Sequence, residues 1–457
     1  MRPPPTGVVG PARATHVGGT ALSAPALVAV VSDEFLHPER EDRTVGRRRL
    51  LAGSAAAGTV AAAGCLGLDR GGDGGAEPER APAVLVFDTG DATVSVIDPD
   101  ANERLRTLHL GASSSFPANQ HAPTLTTDPD DHLWLNVDDG VRAVTVGDLS
   151  TAASISTDSG FNWQARTPDG EHVVVSAREP SHRQVRIDAA PGSETFGEVT
   201  ARIDRADEGG VGGADGPRPC DITVHPDGQY AYVPDLGGDT LTVLSVDPFE
   251  VVRQVTVDPA TDADAARPWM GTVGPDGETL LVEHDEGAGT ESVWDLADPA
   301  VPELRARLTT DDGLGERPLT SEIGPDGERG YVFTPGTDDL TVLDLADDTV
   351  DARIDLGGSA FTGTWDPDHE TLYAPVRDAD VVAAVDPGSD AVVDRIAVGA
   401  SPYGATAARV RPAADASAEL LADVAATGVE LSASGTTYCV GECACGHGER
   451  FGPDAGE

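Results

Sequence analysis

The sequence predicts an all-β fold: a seven-bladed β-propeller closed by N-terminal strands pairing with the C-terminal inner strand, followed by a short Cys-rich C-terminal tail. Three observations carry this expectation. A Pro-Asp turn recurs at a long period, strand patterns follow each turn, and the two ends of the repeat region are complementary.

The turns are DPDD (128–131), TPDG (167–170), HPDG (225–228), GPDG (274–277), GPDG (324–327) and DPDH (366–369). Their prolines are 39, 58, 49, 50 and 42 residues apart. Periods of this size with several short strands per unit indicate propeller blades. In Pro-Asp-Gly, proline presets the turn and glycine accepts positive φ. Alternating or β-branched runs follow, such as Tyr230-Ala-Tyr-Val and then Thr240-Leu-Thr-Val-Leu-Ser-Val.

Innermost strands are expected to begin near Pro123, Asn162, Cys220, Trp269, Leu319, Phe361 and Tyr403, which gives seven blades against alternatives of six or eight. The seventh has no strands after it, whereas the chain opens with three strands (84–88, 92–98, 104–110) that lack an inner partner. Joining the two ends closes the ring and removes open sheet edges.

The division of the chain follows. Residues 1–64 form a twin-arginine signal and lipobox region, in which the stretch before about 45 is a start site set too far upstream. Residues 65–83 are a flexible tether, 84–410 the propeller, and 411–457 a short helix (415–426) with a Cys/His-rich tail. Arg47 and Arg48 precede Leu50-Leu51 in an export-signal pattern. The apolar stretch that follows is too short and too rich in Ala and Gly to span a membrane well. It ends in Ala62-Ala63-Gly64-Cys65, which resembles a lipoprotein cleavage box and implies lipidation of Cys65. These features predict an exported, monomeric protein held at the outer face of the cytoplasmic membrane by its lipid alone.

Composition excludes several function classes. The 31 basic residues are all arginine, set against 78 acids, for a net charge of −47. Without lysine there is no Schiff base, P-loop lysine or Ser-x-x-Lys nucleophile pair. So acidic a surface repels phosphates, which excludes sequence-independent nucleic-acid binding. Aromatic content of 4% leaves the core to Val, Ile, Leu and Ala. The lysine-free, Asp-rich composition resembles that of extremely halophilic archaea. No nucleophile elbow and no HExxH is present, and GGVGGADG (209–216) lies in a loop between blades.

The segments VFDTGDATVSVIDPDANERLRTLHLG (86–111), AYVPDLGGDTLTVLSVD (231–247) and LYAPVRDADVVAAVDPGSDAVVDRIAVGASPYG (372–404) resemble the YVTN-type (YncE-like) propeller repeat. The resemblance spans roughly residues 84–410 and implies the fold. It leaves function open, because propellers host binding, lactone hydrolysis and electron transfer alike.

Counting back eight residues from each turn proline gives His121, Gly160, Arg218, Arg267, Arg317 and Ser359, with Ser401 by analogy. Three consecutive blades therefore read Arg-Pro. Symmetry would gather these arginines at one channel mouth, where they could hold a carboxylate or phosphate, or bolt blades together through acids. The positions opening the inner strands, Trp269 and Tyr403 among them, could floor a ligand site or form core. Turns expected on the same face supply Arg178-Glu179, His182, Asp235, His284-Asp285-Glu286 and Arg377-Asp378. His121, His284 and nearby carboxylates offer a divalent-cation site, against a reading as unrelated residues.

In the tail, Cys439, Cys443, Cys445 and His447 pack four soft donors into nine residues, suited to Zn²⁺ or Cu(I). Oxidation is the competing reading, with Cys220 and the three tail cysteines pairing as disulfides. The expected function is a non-catalytic surface module for a small anionic ligand, a metal or a partner protein. The alternatives are a lactonase-like hydrolase using channel carboxylates and a cation, and metal trafficking through the tail.

Overall fold

The computed structural model describes residues 77–413. Arg47, Arg48, Cys65, most of the tether, the 415–426 helix, Cys439, Cys443, Cys445 and His447 lie outside the described residues.

Seven antiparallel sheets make up the fold, six of four strands and one of three. Blade 1 takes Ala83–Asp88, Thr93–Asp98 and Glu103–His109 from the start of the repeat, with Pro402–Ala408 innermost. Val86 lies opposite Ala405 in that closing pair. Blade 2 holds His132–Val137, Gly140–Thr145 and Thr151–Ser156, and blade 3 runs from Asn162–Arg166 out to Val199–Asp204. Blades 4, 5, 6 and 7 begin with inner strands Thr223–Val224, Pro268–Val273, Thr320–Ile323 and Thr364–Trp365. They end in outer strands Glu250–Thr256, Glu303–Thr309, Thr349–Asp355 and Ala391–Ala397.

The Pro-Asp-Gly signal works as turn chemistry. Gly170, Gly228, Gly277 and Gly327 have φ between 73° and 76°. The preceding aspartate accepts the backbone N–H two residues on, as in Gln229 N to Asp227 Oδ1 at 2.7 Å. The second strand of a blade packs between two neighbours and is buried on both faces, as in Val84, Leu85, Val86 and Phe87. Small β-branched side chains fill the seams between blades, so few aromatics are needed.

Each outermost strand carries a one-residue bulge, for example between Val96 and Ile97 opposite Leu105, and between Val243 and Leu244 opposite Val252. Bulged edges twist away from flat pairing, which protects sheet edges from other chains. Exposed Leu105, Val252 and Val393 sit at these bulges.

Blade 2 departs from the sequence expectation. Pro123 opens no strand; Ala122–Leu125 is a four-residue helix. The inner edge is reduced to a bridge between Pro117 and Leu135. Ala118 N donates to Trp134 O at 2.9 Å, as Cys220 N does to Pro234 O and Leu319 N to Phe333 O. The counterpart of Arg218 is therefore Phe116, five residues before His121. The extra residues leave the blade and cross the channel. Gln120 Nε2 donates to Val224 O at 2.6 Å and its Oε1 accepts Val224 N at 2.8 Å. On the far side Asn119 Nδ2 reaches Glu322 Oε1 at 2.9 Å and Gly363 O at 3.2 Å. This strap uses amide side chains where a strand would use backbone. Replacing Gln120 with alanine strips both Val224 backbone groups of their partner, and the urea midpoint is expected to fall by an amount equivalent to about 1–3 kcal/mol.

Candidate functional site

The inner strands run from an arginine-bearing mouth to the Pro-Asp-Gly end, and an aromatic plug divides the channel between them. At the mouth, Arg218, Arg267 and Arg317 have φ of 50°, 48° and 61° and each precedes proline. Ser401 takes the same conformation at 47° before Pro402. The recurring position is thus a backbone feature of the repeat that a serine also satisfies. Arg218 lies 3.2 Å from Asp215 and 4.0 Å from Glu179, and Arg267 lies 3.7 Å from Asp285.

Two further arginines cover the plug. Arg178 is fully buried, pairs with Glu179 at 2.8 Å and stands 4.8 Å over the Phe161 ring. Arg377 stands 5.6 Å over Phe361 and 5.8 Å over Tyr403. Their place in the second-to-third-strand turns was legible, but their stacking was not, because it depends on side chains about 16 residues away on the inner edge of the same blade and, for Arg377, on Tyr403 of blade 1.

The plug gathers Phe116, Trp163, Cys220, Trp269, Met270, Phe361 and Tyr403. Tyr403 meets Phe116 and Phe361 edge-on at 5.2 and 5.0 Å. Trp269 and Tyr403 are both buried here. Arg178 Nη1 lies 3.8 Å from Cys220 Sγ.

On the other side of the plug is a cavity of about 390 Å³ that extends to the turn prolines Pro168, Pro226 and Pro275. His121 lines it, so the structure separates this residue from the three arginines with which the sequence count aligned it. Two carboxyl groups, Asp221 and Glu322, also line it, together with Asn119, Gln164, Thr223 and His369. Asp221 N is held by Trp269 O at 3.1 Å, and its Oδ2 accepts Gly271 N at 3.0 Å. Burial pushes the Asp221 carboxyl up to about 6, against the pull of backbone N–H groups. Burial pushes Glu322 further, to about 8, opposed by its hydrogen bond from Asn119. His121 is drawn down to about 4 by burial and by the Arg166 charge, and its Nε2 is buried without a hydrogen-bond partner. Among the described residues the lining includes no arginine.

Sequence reasoning passed over Asp221 and Glu322. A signal existed: both acids fall where inner strands are expected, Asp221 directly after Cys220 and Glu322 three residues after Leu319.

The structure does not bring His121 and His284 together. His284 is fully buried and satisfied, with Nε2 2.7 Å from Ser292 Oγ and Nδ1 3.2 Å from Ala266 O. Burial, then the Arg307 charge, lowers it to about 3. Among the described residues no three His, Cys, Asp or Glu side chains converge as a metal site.

No family model matches the sequence, and no curated protein matches it. Solved structures do resemble the fold. The periplasmic gluconolactonase of Pseudomonas aeruginosa superposes with a TM-score of 0.57 at 17% identity, covering 72% of this chain and 99% of that one. A Lactobacillus plantarum protein gives 0.56 at 15% identity, with coverage of 72% and 99%. A provisionally assigned 6-phosphogluconolactonase of Bacteroides uniformis gives 0.54 at 14% identity, with coverage of 72% and 100%. At these identities the likeness shows architecture alone: this chain is a seven-bladed β-propeller with lactonase-type propellers among its structural neighbours.

Proposed function

We propose that this protein is an exported propeller that takes a small, neutral, hydroxyl-rich molecule into its central cavity. A lipid on Cys65 would hold it at the outer face of the cytoplasmic membrane after export directed by Arg47 and Arg48. The observation that carries the ligand class is the lining of the cavity. It offers two carboxyl groups, amides and hydroxyls, with no arginine to receive an anion. Hydroxyl donors suit these acceptors, whereas an anion would meet Asp221 and Glu322 inside a chain of net charge −47. An anionic ligand belongs, if anywhere, at the arginine mouth, where Arg218 and Arg267 already face acids.

A specific observation favours a second reading, hydrolysis of a lactone. Burial raises Asp221 to about 6 and Glu322 to about 8, so between those values the first can serve as a base and the second as an acid. Water would attack the lactone carbonyl as Asp221 takes its proton. Glu322 would protonate the ring oxygen as the carbon–oxygen bond breaks, giving the hydroxy acid. The gluconolactonase among the neighbours supports testing this chemistry first.

Purified protein in molar salt should therefore be titrated with polyols and aldonolactones by calorimetry and assayed for ring opening. On the hydrolase reading, kcat/KM is bell-shaped with limbs near 6 and 8, and Asp221→Asn lowers it about 10²–10⁴-fold. Saturable binding without turnover leaves the binding module. Absence of both across the panel removes the cavity as the functional site.

A further inference from the structure

The second and third strands of blade 5, Thr279–His284 and Thr290–Asp295, place Glu283 directly opposite Glu291. Both are 0% exposed. None of their four carboxyl oxygens has a hydrogen-bond partner. The corresponding pairs are apolar in four blades, Phe87 with Val94, Pro234 with Leu241, Phe333 with Leu340 and Pro375 with Val382, and polar but uncharged in two, Asn136 with Val141 and Ser176 with Gln184. The fold does not need acids at this position, and two bare carboxylates there would cost several kcal/mol each.

The pair shares its strand face with Leu281 and Val293, which pack on Ile323 and Val332 of blade 6. Ser321, 2% exposed, belongs to the inner strand of that neighbouring blade. Its hydroxyl approaches the Glu283 carboxyl, yet Oγ has no partner in hydrogen-bond geometry. Five orphan oxygens thus converge on one seam, four from carboxyl groups and one from a hydroxyl. Ser321 also lines the central cavity, which gives an ion a way in.

We infer that Glu283 and Glu291, with Ser321, hold a hard divalent cation in the seam between blades 5 and 6. Two carboxylates balance a 2+ charge. An all-oxygen donor set with bidentate capacity suits Ca²⁺, which accepts six to eight oxygens in flexible geometry, and disfavours the softer Zn²⁺ and Cu(I). The site is a carboxylate pair completed by a hydroxyl, so it needs no third acid.

The test uses the full chain, stripped with chelator and titrated with CaCl₂ by calorimetry. Work in 1 M NaCl shortens the Debye length to about 3 Å and suppresses diffuse binding to the acidic surface. The expected result is one saturable equivalent per chain, weakened at least tenfold by Glu283→Gln and by Glu291→Gln. Tm should rise with log[Ca²⁺] in the parent and stay flat in these variants. No saturable Ca²⁺ binding by the parent would overturn the inference, as would variants that bind as the parent does. Should a glutamine variant fail to fold, Ser321→Ala carries the test, because it changes only one oxygen. Weaker binding supports the site, and unchanged affinity removes it.

Discussion

Replacing Asp235 with alanine is expected to destabilise the protein by about 3–5 kcal/mol, the cost of leaving a buried charge without its partner. Asp235 is 0% exposed and receives Nη1 and Nη2 of Arg205, each at 2.8 Å. Thr240 and Thr242 hydroxyls donate to it at 2.7 and 2.6 Å. Arg205 lies just beyond the outer strand of blade 3, so this ion pair ties two blades together. Burial works against the guanidinium charge, but the Asp235 and Glu208 carboxylates outweigh it and hold Arg205 above the usual arginine range. Without Asp235 the cation keeps only partly exposed Glu208. Guanidinium chloride unfolding of Asp235→Ala beside Asp235→Asn measures the effect. The asparagine variant should lose less, because it preserves the shape and acceptors for both threonines. Equal loss in the two would assign the whole effect to charge.

Asp88 occupies the same register in blade 1, with Ser95 and Thr93 hydroxyls at 2.8 and 3.1 Å. No guanidinium reaches it among the described residues. Burial pushes its carboxyl up to about 8, only partly offset by those hydroxyls. One repeat motif therefore yields an aspartate bound to a guanidinium in blade 4 and a protonated one in blade 1, according to what the neighbouring blade supplies.

The second large effect follows from that protonation. In chelator-containing buffer, Tm is expected to fall steadily from pH 6.5 to 8. Burial raises Asp88, Glu283 and Glu322 to about 8, and Glu291 also lies well above its ordinary value. Across this window the folded chain keeps protons that the unfolded chain has already released. Stability then decreases as pH rises, with a slope set by the difference in bound protons. Each such group contributes about 2 kcal/mol over one and a half pH units. Half-buried His121 and buried His284 act oppositely, but only below about 6.5, where the unfolded histidines would take up protons. Scanning calorimetry across the range checks the slope, and Glu291→Gln should flatten part of it. A Tm that holds constant or rises between pH 6.5 and 8 would contradict the protonated cluster.

Much of the fold is legible in the chain because its signals are local. Pro-Asp-Gly turns act through one aspartate and one glycine within four residues, and alternation marks the strands on either side. The failure at blade 2 is instructive for the same reason. Counting from Pro129 assumed a constant inner-strand length, and the short helix at Ala122–Leu125 lengthens that segment. Nothing local announces the change, since Asn119 and Gln120 find their partners at Glu322, Gly363 and Val224.

The sequence by itself determined the seven-bladed architecture, the apolar seams between blades and the repeated Arg-Pro step, because turn chemistry and strand periodicity are read over a few residues. Only the tertiary structure decided where chemistry can occur. It put His121 on the cavity side of the plug and the arginines on the other. It brought Asp221 and Glu322 from separate blades to one cavity, and it set Glu283 against Glu291 beside Ser321. Burial and the approach of groups from different blades fix the proton affinity of each acid, and neither is a property of the local sequence.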